Sequence, residues 1–396
     1  MVLRLSDLNT SREEFTNPKV GFITSTFNIS ITTTMVGFGT VQLDKFYAGC
    51  LGPDNNIYFT TAGNQETSYV LKLDTKTGTA TSFGNFPNVN VTIGSTLYVS
   101  GASIGGLVCG KDGNLYTIPL NQRSVTKIDP ISQSLTVFGE NFRGHQDDPF
   151  STVSNTKWMG GCLAPNGKIY GIPYSYDKVL VINPQTGTAS TSEISTGFTT
   201  SIAKWAGGVL GPDGNIYGIP WSATTVLKIN PRTNTATTFG SLSGGWWGGC
   251  LAPNGKIYAV PSDGSLTRSV LKIDPIAGTA TTFGSISTTG FSTTYSYGWQ
   301  GACLAANGKI YSSPLGGNGI LEINPENDTV SIIGIGSLPS LGQYTYDWYR
   351  WAPFVLSPDG KMYAPPAGET KMLVFGEKSN QEPADWLLSP YQNKGI

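Results

Sequence analysis

The chain has 396 residues, a formal net charge of -1 and 13% charged residues, where an ordinary soluble domain carries about a quarter. That balance gives nucleic acid or an anionic membrane surface no electrostatic hold, so neither is expected as a partner. No apolar run reaches the ~18 residues that a membrane-spanning helix needs, so no membrane insertion is expected.

In chain order, residues 1–22 come first as an arm. Met1-Val2-Leu3-Arg4-Leu5-Ser6-Asp7 mixes charge into its start and has no apolar core, so no secretory signal is expected and synthesis is placed in the cytoplasm. Ile31-Thr32-Thr33-Thr34-Met35-Val36-Gly37-Phe38-Gly39 then reads as a solitary Thr-rich strand. After it one sequence unit repeats. Its clearest copy runs from Trp158-Met159-Gly160-Gly161-Cys162-Leu163 through Ala164-Pro165-Asn166-Gly167 to Lys168-Ile169-Tyr170, and Val179-Leu180-Val181-Ile182-Asn183-Pro184 follows. The tyrosine marks each copy at Tyr58, Tyr116, Tyr170, Tyr217, Tyr258, Tyr311 and Tyr363, with spacings of about 41 to 58 residues, in the range of propeller blades.

Each copy predicts four antiparallel strands. Gly160 to Ala164 is small and apolar, as an innermost strand must be where strands crowd a narrow channel. Pro-Asn-Gly or Pro-Asp-Gly follows, and both central residues are expected at positive φ in a tight hairpin. Lys168 to Pro173 alternates as a second strand and ends at a proline that cannot donate to a ladder. Val226-Leu227-Lys228-Ile229 gives the third strand, and Thr235-Ala236-Thr237-Thr238-Phe239-Gly240 a half-solvated fourth. The last copy ends at Lys371-Met372-Leu373-Val374-Phe375-Gly376 without a Thr-rich fourth strand, while the segment at Ile31 to Gly39 has no blade of its own. The expected fold class is therefore all-β: a seven-bladed β-propeller over residues 23–376, closed by the N-terminal strand completing the last blade. Residues 377–396 form a tail in which Trp386, Leu387 and Leu388 call for a docking partner.

Residues that recur in frame are read as scaffold. Phe46, Trp158, Trp205, Trp246, Trp299 and Trp351 share one position, with Ile104 in the second copy, and are expected to seal neighbouring blades. Cys50, Cys162, Cys250 and Cys303 share another with Val209 and Val355, as small buried residues rather than disulfide or metal ligands, and Cys109 lies one place later. Asp54, Asp112, Asp213 and Asp359 alternate with Asn166, Asn254 and Asn307 in equivalent turns, which turn geometry explains without calcium. Catalytic candidates are few. The only histidine is His145, near Asp147 and Asp148 in a loop, with Asp347 in another, and these share no spacing characteristic of an acid-base set. No P-loop, dinucleotide fingerprint, nucleophile elbow or zinc cluster is present, so no cofactor is expected.

Gly211-Pro212-Asp213-Gly214-Asn215-Ile216-Tyr217 followed by Lys228-Ile229-Asn230-Pro231-Arg232-Thr233-Asn234-Thr235 resembles the repeats of the virginiamycin B lyase family, over nearly all blades. The resemblance implies a seven-bladed ring. It also implies, for that family, a lyase centre of histidines and glutamates around magnesium; with one histidine, off the repeat frame, this chain carries over the fold and no catalytic residue.

Length variation falls on one rim. The turns after the first and third strands are short and constant, whereas the loops after the second strand and between blades vary widely, and variable loops on a rigid scaffold are where binding is placed. That rim also bears Phe142, Phe150, Trp221, Phe291, Tyr295, Tyr297, Tyr344, Tyr346, Trp348 and Tyr349, aromatics suited to protein interfaces or sugar stacking. The expectation is a non-enzymatic module that docks on protein partners through its tails and this rim, as a structural or host-recognition part of a virus particle such as a phage tail or capsid. A propeller binding a surface glycan is the first alternative, and a lyase or hydrolase using His145, Asp147, Asp148 or Asp347 the second.

Overall fold

A computed structural model describes residues 46–376, apart from 62–67, 87–88, 94–95, 101–102, 140–141, 143–155, 195–196, 199–202, 263–267, 287–297, 318, 335–337, 339–349, 368 and 370–371. The chain is a seven-bladed β-propeller. Blades one to seven span 46–86, 104–138, 158–190, 205–239, 246–286, 299–333 and 355–375, each an antiparallel meander in sequence order. Six have four strands and the seventh three among the described residues; the segment at Ile31 to Gly39, expected to complete it, lies outside them.

Burial grades outward along each blade, as the composition requires. In blade four the second strand Ile216–Pro220 is buried throughout, the third strand Val226–Asn230 exposes part of one face, and the Thr-rich fourth strand Thr235–Phe239 is largely solvated. Inner strands are covered by blades on both sides and therefore have no solvated face. The tryptophans lie between blades, as expected. Trp158 of blade three packs with Val108, Ile118 and Val125 of blade two. Four indoles also donate to backbone carbonyls: Trp158 to Lys178, Trp205 to Thr225 and Trp246 to Ser269 at 2.8 Å, and Trp299 to Gly319 at 2.9 Å. The ring closes where Phe46, Phe59 and Leu71 of blade one meet Val355, Tyr363 and Val374 of blade seven.

The short turns correct one expectation. In Gly211-Pro212-Asp213-Gly214, the Gly214 amide reaches the Gly211 carbonyl at 3.0 Å, and Gly211 N closes the loop on Asn215 O at 2.8 Å. Gly214 alone of the pair has positive φ, at 77°. Pro212 fixes its own φ near -65°, which selects a type I turn with only the third loop residue left-handed.

The first strands of blades one to six each carry a bulge just after the residue at the repeated aromatic position. The register shifts between Trp158 and Gly161, Trp205 and Gly208, and Trp246 and Gly249. At Gly207, φ is 93° and an added Cβ would stand 2.8 Å from the Gly248 Cα; at Gly160 it would stand 2.7 Å from the Gly207 Cα. Backbone thus touches backbone across successive blades at the channel wall. An element that the repeat did not predict, the hairpin Val89–Ile93 with Thr96–Ser100, occupies the connection from blade one to blade two.

Candidate functional site

The face bearing the short turns is closed by its own polar contacts. Tyr217 donates to Asp213 Oδ2 at 2.8 Å, and its hydroxyl lies 3.3 Å from Pro275 O in the next blade. Tyr58 and Tyr116 donate likewise to Asp54 and Asp112 at 2.8 and 2.7 Å. Where asparagine replaces aspartate the direction reverses: Asn254 Nδ2 donates to Tyr258 OH at 3.0 Å, and that hydroxyl donates to Asp328 of the next blade at 2.9 Å. Either residue type thus satisfies the buried phenol, which explains their interchange. Burial and then the neighbouring aspartate drive the Tyr58, Tyr116 and Tyr217 phenols far up. Burial pushes Asp213 up, but hydrogen bonds from Asn215, Tyr217 and Lys228 outweigh it and hold the carboxyl below its usual range. The second, third and seventh seams close on the same face through Lys111 Nζ to Pro165 O at 2.7 Å, Asn166 Nδ2 to Pro231 O at 3.4 Å and Ser357 Oγ to Thr75 Oγ1 at 3.0 Å.

The face bearing the variable loops is built differently. In three blades the cation before the repeated tryptophan bridges a seam through its backbone. Lys204 N donates to Tyr174 O of blade three at 2.7 Å, and Trp221 N donates to Lys204 O at 2.9 Å. Lys157 and Arg350 repeat this with Leu120 and Tyr174, and with Leu315 and Ala367. Their side chains are buried, as is that of Arg268 at the start of the third strand of blade five, so every buried charged side chain among the described residues is a cation. Lys204 Nζ donates to Tyr176 O at 2.9 Å. Burial brings this ammonium down to about 8, against an opposing pull from Asp177. Arg350 pairs with Glu369 at 2.9 Å and stacks 4.5 Å from the Trp351 ring centroid.

At the channel end of this face, the bulge residues Met159, Ala206 and Trp247 of blades three, four and five form one apolar cluster with Leu120, Tyr174 and Trp221. Trp221 is half-buried and meets the Trp247 ring edge-on, centroids 4.8 Å apart. Trp247 Nε1, Ser262 Oγ and Gln300 Nε2 are buried here without a hydrogen-bond partner. Ser262 directly follows the second strand of blade five, and Gln300 holds in blade six the position that Trp247 holds in blade five.

Of the expected rim residues, Trp221 stands at this mouth. Phe142 corrects its expectation: it is 3% exposed and packs edge-on against Trp158 at 5.2 Å, its amide held by Arg123 O of blade two at 2.7 Å. Phe150, Phe291, Tyr295, Tyr297, Tyr344, Tyr346, Trp348 and Tyr349 lie outside the described residues, as do Trp386, Leu387, Leu388, His145, Asp147, Asp148 and Asp347. The five cysteines form no disulfide, and burial raises the Cys303 thiol to about 12. Among the described residues no three His, Cys, Asp or Glu side chains gather as a metal site. Sequence reasoning missed Lys157, Lys204 and Arg350, although a cation precedes the repeated tryptophan at 157–158, 204–205 and 350–351. Trp247 and Gln300 had a fainter signal, a variable residue between tryptophan and glycine in blades three to six.

No protein-family model and no curated protein matches the chain. Solved structures do match it in fold. A streptogramin B lyase superposes with a TM-score of 0.62 at 14% identity, over 86% of this chain and 96% of that one. A catalytically inactive virginiamycin B lyase of Staphylococcus aureus, solved with quinupristin, gives 0.61 at 14% identity over 85% and 96%. Hydrazine synthase of Kuenenia stuttgartiensis gives 0.57 at 14% identity over 85% and 97%. The chain has the propeller fold of the virginiamycin B lyases. That fold serves proteins of unlike activity, so function must be argued from the site.

Proposed function

We propose that the chain is a non-enzymatic interaction propeller that docks through the variable-loop face and its terminal segments, as a structural or host-recognition component of a larger assembly such as a virus particle. The observation that carries this reading is the contrast between faces. The short-turn face spends its polar groups on neighbouring blades, whereas the opposite face buries cations and sets Trp221 half-exposed over a mouth with unpartnered donors. The low share of charged residues, 13%, suits such a component. Cross-linking and stoichiometry of the native assembly test it. The chain should occur in fixed copy number with residues 1–22, residues 377–396 or the Trp221 face protected by neighbours. A free monomer with all three unprotected in its native source would sink the proposal.

A second reading, binding of a surface glycan, is favoured by the Trp221–Trp247 pair at the mouth, since an exposed indole presents a flat apolar face to a pyranose. A glycan array probed with the native chain and with Trp221→Ala tests it: a signal that disappears in the variant supports glycan binding, and no signal at all removes it.

A further inference from the structure

We infer that the apolar mouth at blades three to five receives the Trp386-Leu387-Leu388 segment of a second copy, so that the discs stack head to tail. The inference rests on the reading of this face and the tail as docking elements, and deepens it by naming what docks on what. Strand direction puts the two elements on opposite faces. The third strand of blade seven, Leu373–Phe375, runs antiparallel to the strand that leaves the short turn. A Cβ added at Gly376 would lie 3.3 Å from the carbonyl oxygen of Gly360 in that turn. The chain therefore leaves the ring on the short-turn face, and residues 377–385 are a largely polar spacer before the apolar anchor. That face gives the anchor little apolar cover. Its large exposed apolar side chains among the described residues are Ile131 and Ile276, in turns of blades two and five with two blades between them.

The apolar cluster lies on the other face. Leu120, Tyr174 and Trp221 follow the prolines that end second strands, and they pack only partly buried against Met159, Ala206 and Trp247. The way in is at the seam of blades four and five. The connection there, residues 240–245, is the shortest between blades, and the loop of blade four beside it is only 221–225. Least chain therefore stands over the place where Trp221 meets Trp247. Trp247 Nε1 is buried in this cluster without an acceptor, and a docked peptide brings backbone carbonyls that can accept from it. A chain's own anchor falls short of its own mouth. The route from Gly376 round the disc edge climbs a strand and recrosses a blade, roughly 35 Å by strand dimensions before the channel is crossed. Residues 377–385 span at most about 30 Å. The contact is then intermolecular and heterologous, and each addition leaves one tail and one mouth at the ends, which gives an open series of discs. A Trp-Leu-Leu anchor is small beside a standard interface, so the association is reversible and concentration-dependent.

Sedimentation velocity of the full chain over a concentration series is the test. The average mass should rise with concentration without levelling at a dimer. Leu387→Asp, which puts a charge in the anchor, and Trp221→Ala, which removes a ring at the mouth, should each stay monomeric where the parent associates. Mixed together, they should form a one-to-one dimer that grows no further, because the first keeps its mouth and the second its tail. A peptide of residues 377–396 should bind the full-length Leu387→Asp chain, and the same peptide carrying Leu387→Asp should bind it about tenfold more weakly or less. This last arm holds even where Trp221→Ala fails to fold. A parent that stays monomeric throughout, association that levels at a dimer, or peptide binding indifferent to Leu387→Asp overturns the inference. Cross-linking of the native assembly reads the docking proposal separately. A tail protected there by a different protein, with the purified chain monomeric, overturns the stacking and leaves docking in place, whereas tail and Trp221 face both unprotected would sink the two together.

Discussion

The two faces of the disc are made by the same repeat, yet they use polar groups in opposite ways. At Tyr217 and Tyr258 a phenol in one blade contacts a turn of the next, and the Asp or Asn of the hairpin satisfies it. At the other face, Lys157, Lys204, Arg268 and Arg350 are buried at the seams, and Trp247, Ser262 and Gln300 lack acceptors. A closed network rigidifies, while unsatisfied groups cost stability and need a reason. The lesson is that the regular and the irregular use of polar groups are divided by face, with the channel wall as the boundary between them.

The boundary is where the largest effect is expected. Gly207→Ala places a Cβ 2.8 Å from the Gly248 Cα, on a backbone at φ 93°. Neither atom belongs to a flexible side chain, so the cost should exceed about 3 kcal/mol. A thermal melt should show a large loss or no folded protein. A variant that melts like the parent would show that the bulges are not what holds consecutive blades together, and the division by face would lose its boundary.

The next effect tests the closed face through pH. Tyr58, Tyr116, Tyr217, Tyr258, Tyr311 and Tyr363 all have phenols raised by burial first and also by neighbouring carboxylates, with Asn254 and Asn307 pulling the other way at Tyr258 and Tyr311. A group whose folded value is raised holds its proton longer in the folded chain, so the stability it contributes is intact below the unfolded tyrosine value of about 10 and falls above it. Ultraviolet titration should therefore show these phenols ionising together with unfolding, steeply above pH 10. A gradual ionisation near pH 10 with the fold intact would mean that the short-turn face is open to water.

Within that face, Asp213→Ala should cost about 1–2 kcal/mol, because it strips the buried Tyr217 hydroxyl and Lys228 of their partner. Asp213→Asn should cost less than about 1 kcal/mol, since asparagine serves this place at Asn166 and Asn254. Chemical denaturation separates the two. Equal losses would break the account of Asp and Asn as interchangeable partners.

How far the sequence carries follows the same division. Ring, blade count, strand order and the packing of Trp158, Trp205, Trp246 and Trp299 were legible because the same physical problem is solved in each copy, and repetition averages out local ambiguity. The Pro-Asp-Gly turns were legible as turns, but their type depended on Pro212 restricting its own φ, a conflict that pattern reading passed over. The hairpin at Val89–Ile93 and Thr96–Ser100 occurs once, in a connection, so the repeat had nothing to say about it. The mouth was hardest to read. Trp221 was legible as one of the aromatics in the variable loops, but Trp247 and Gln300 acquire their meaning from bulges and from the blade beside them. Lys157, Lys204 and Arg350 look like solvated charges until the seam that buries them is built.

The smallest effect is expected at one of those cations. Lys204 is 6% exposed and its ammonium titrates at about 8, below the unfolded lysine value of about 10.4. Between these two values the unfolded chain holds more protons than the folded one, so this side chain makes stability rise with pH across that window and counts against folding below it. Lys204→Met keeps the stem over Trp205 and removes the charge, and should leave stability at pH 7 within about 1 kcal/mol of the parent or above it. The telling readout is the slope of denaturation free energy from pH 8 to 9.5, a range kept below tyrosine ionisation. The parent should gain stability across it and the variant should not. Identical slopes would mean that Lys204 is as solvated as a surface lysine, and that the variable-loop face carries no buried charge at this seam for a partner to exploit.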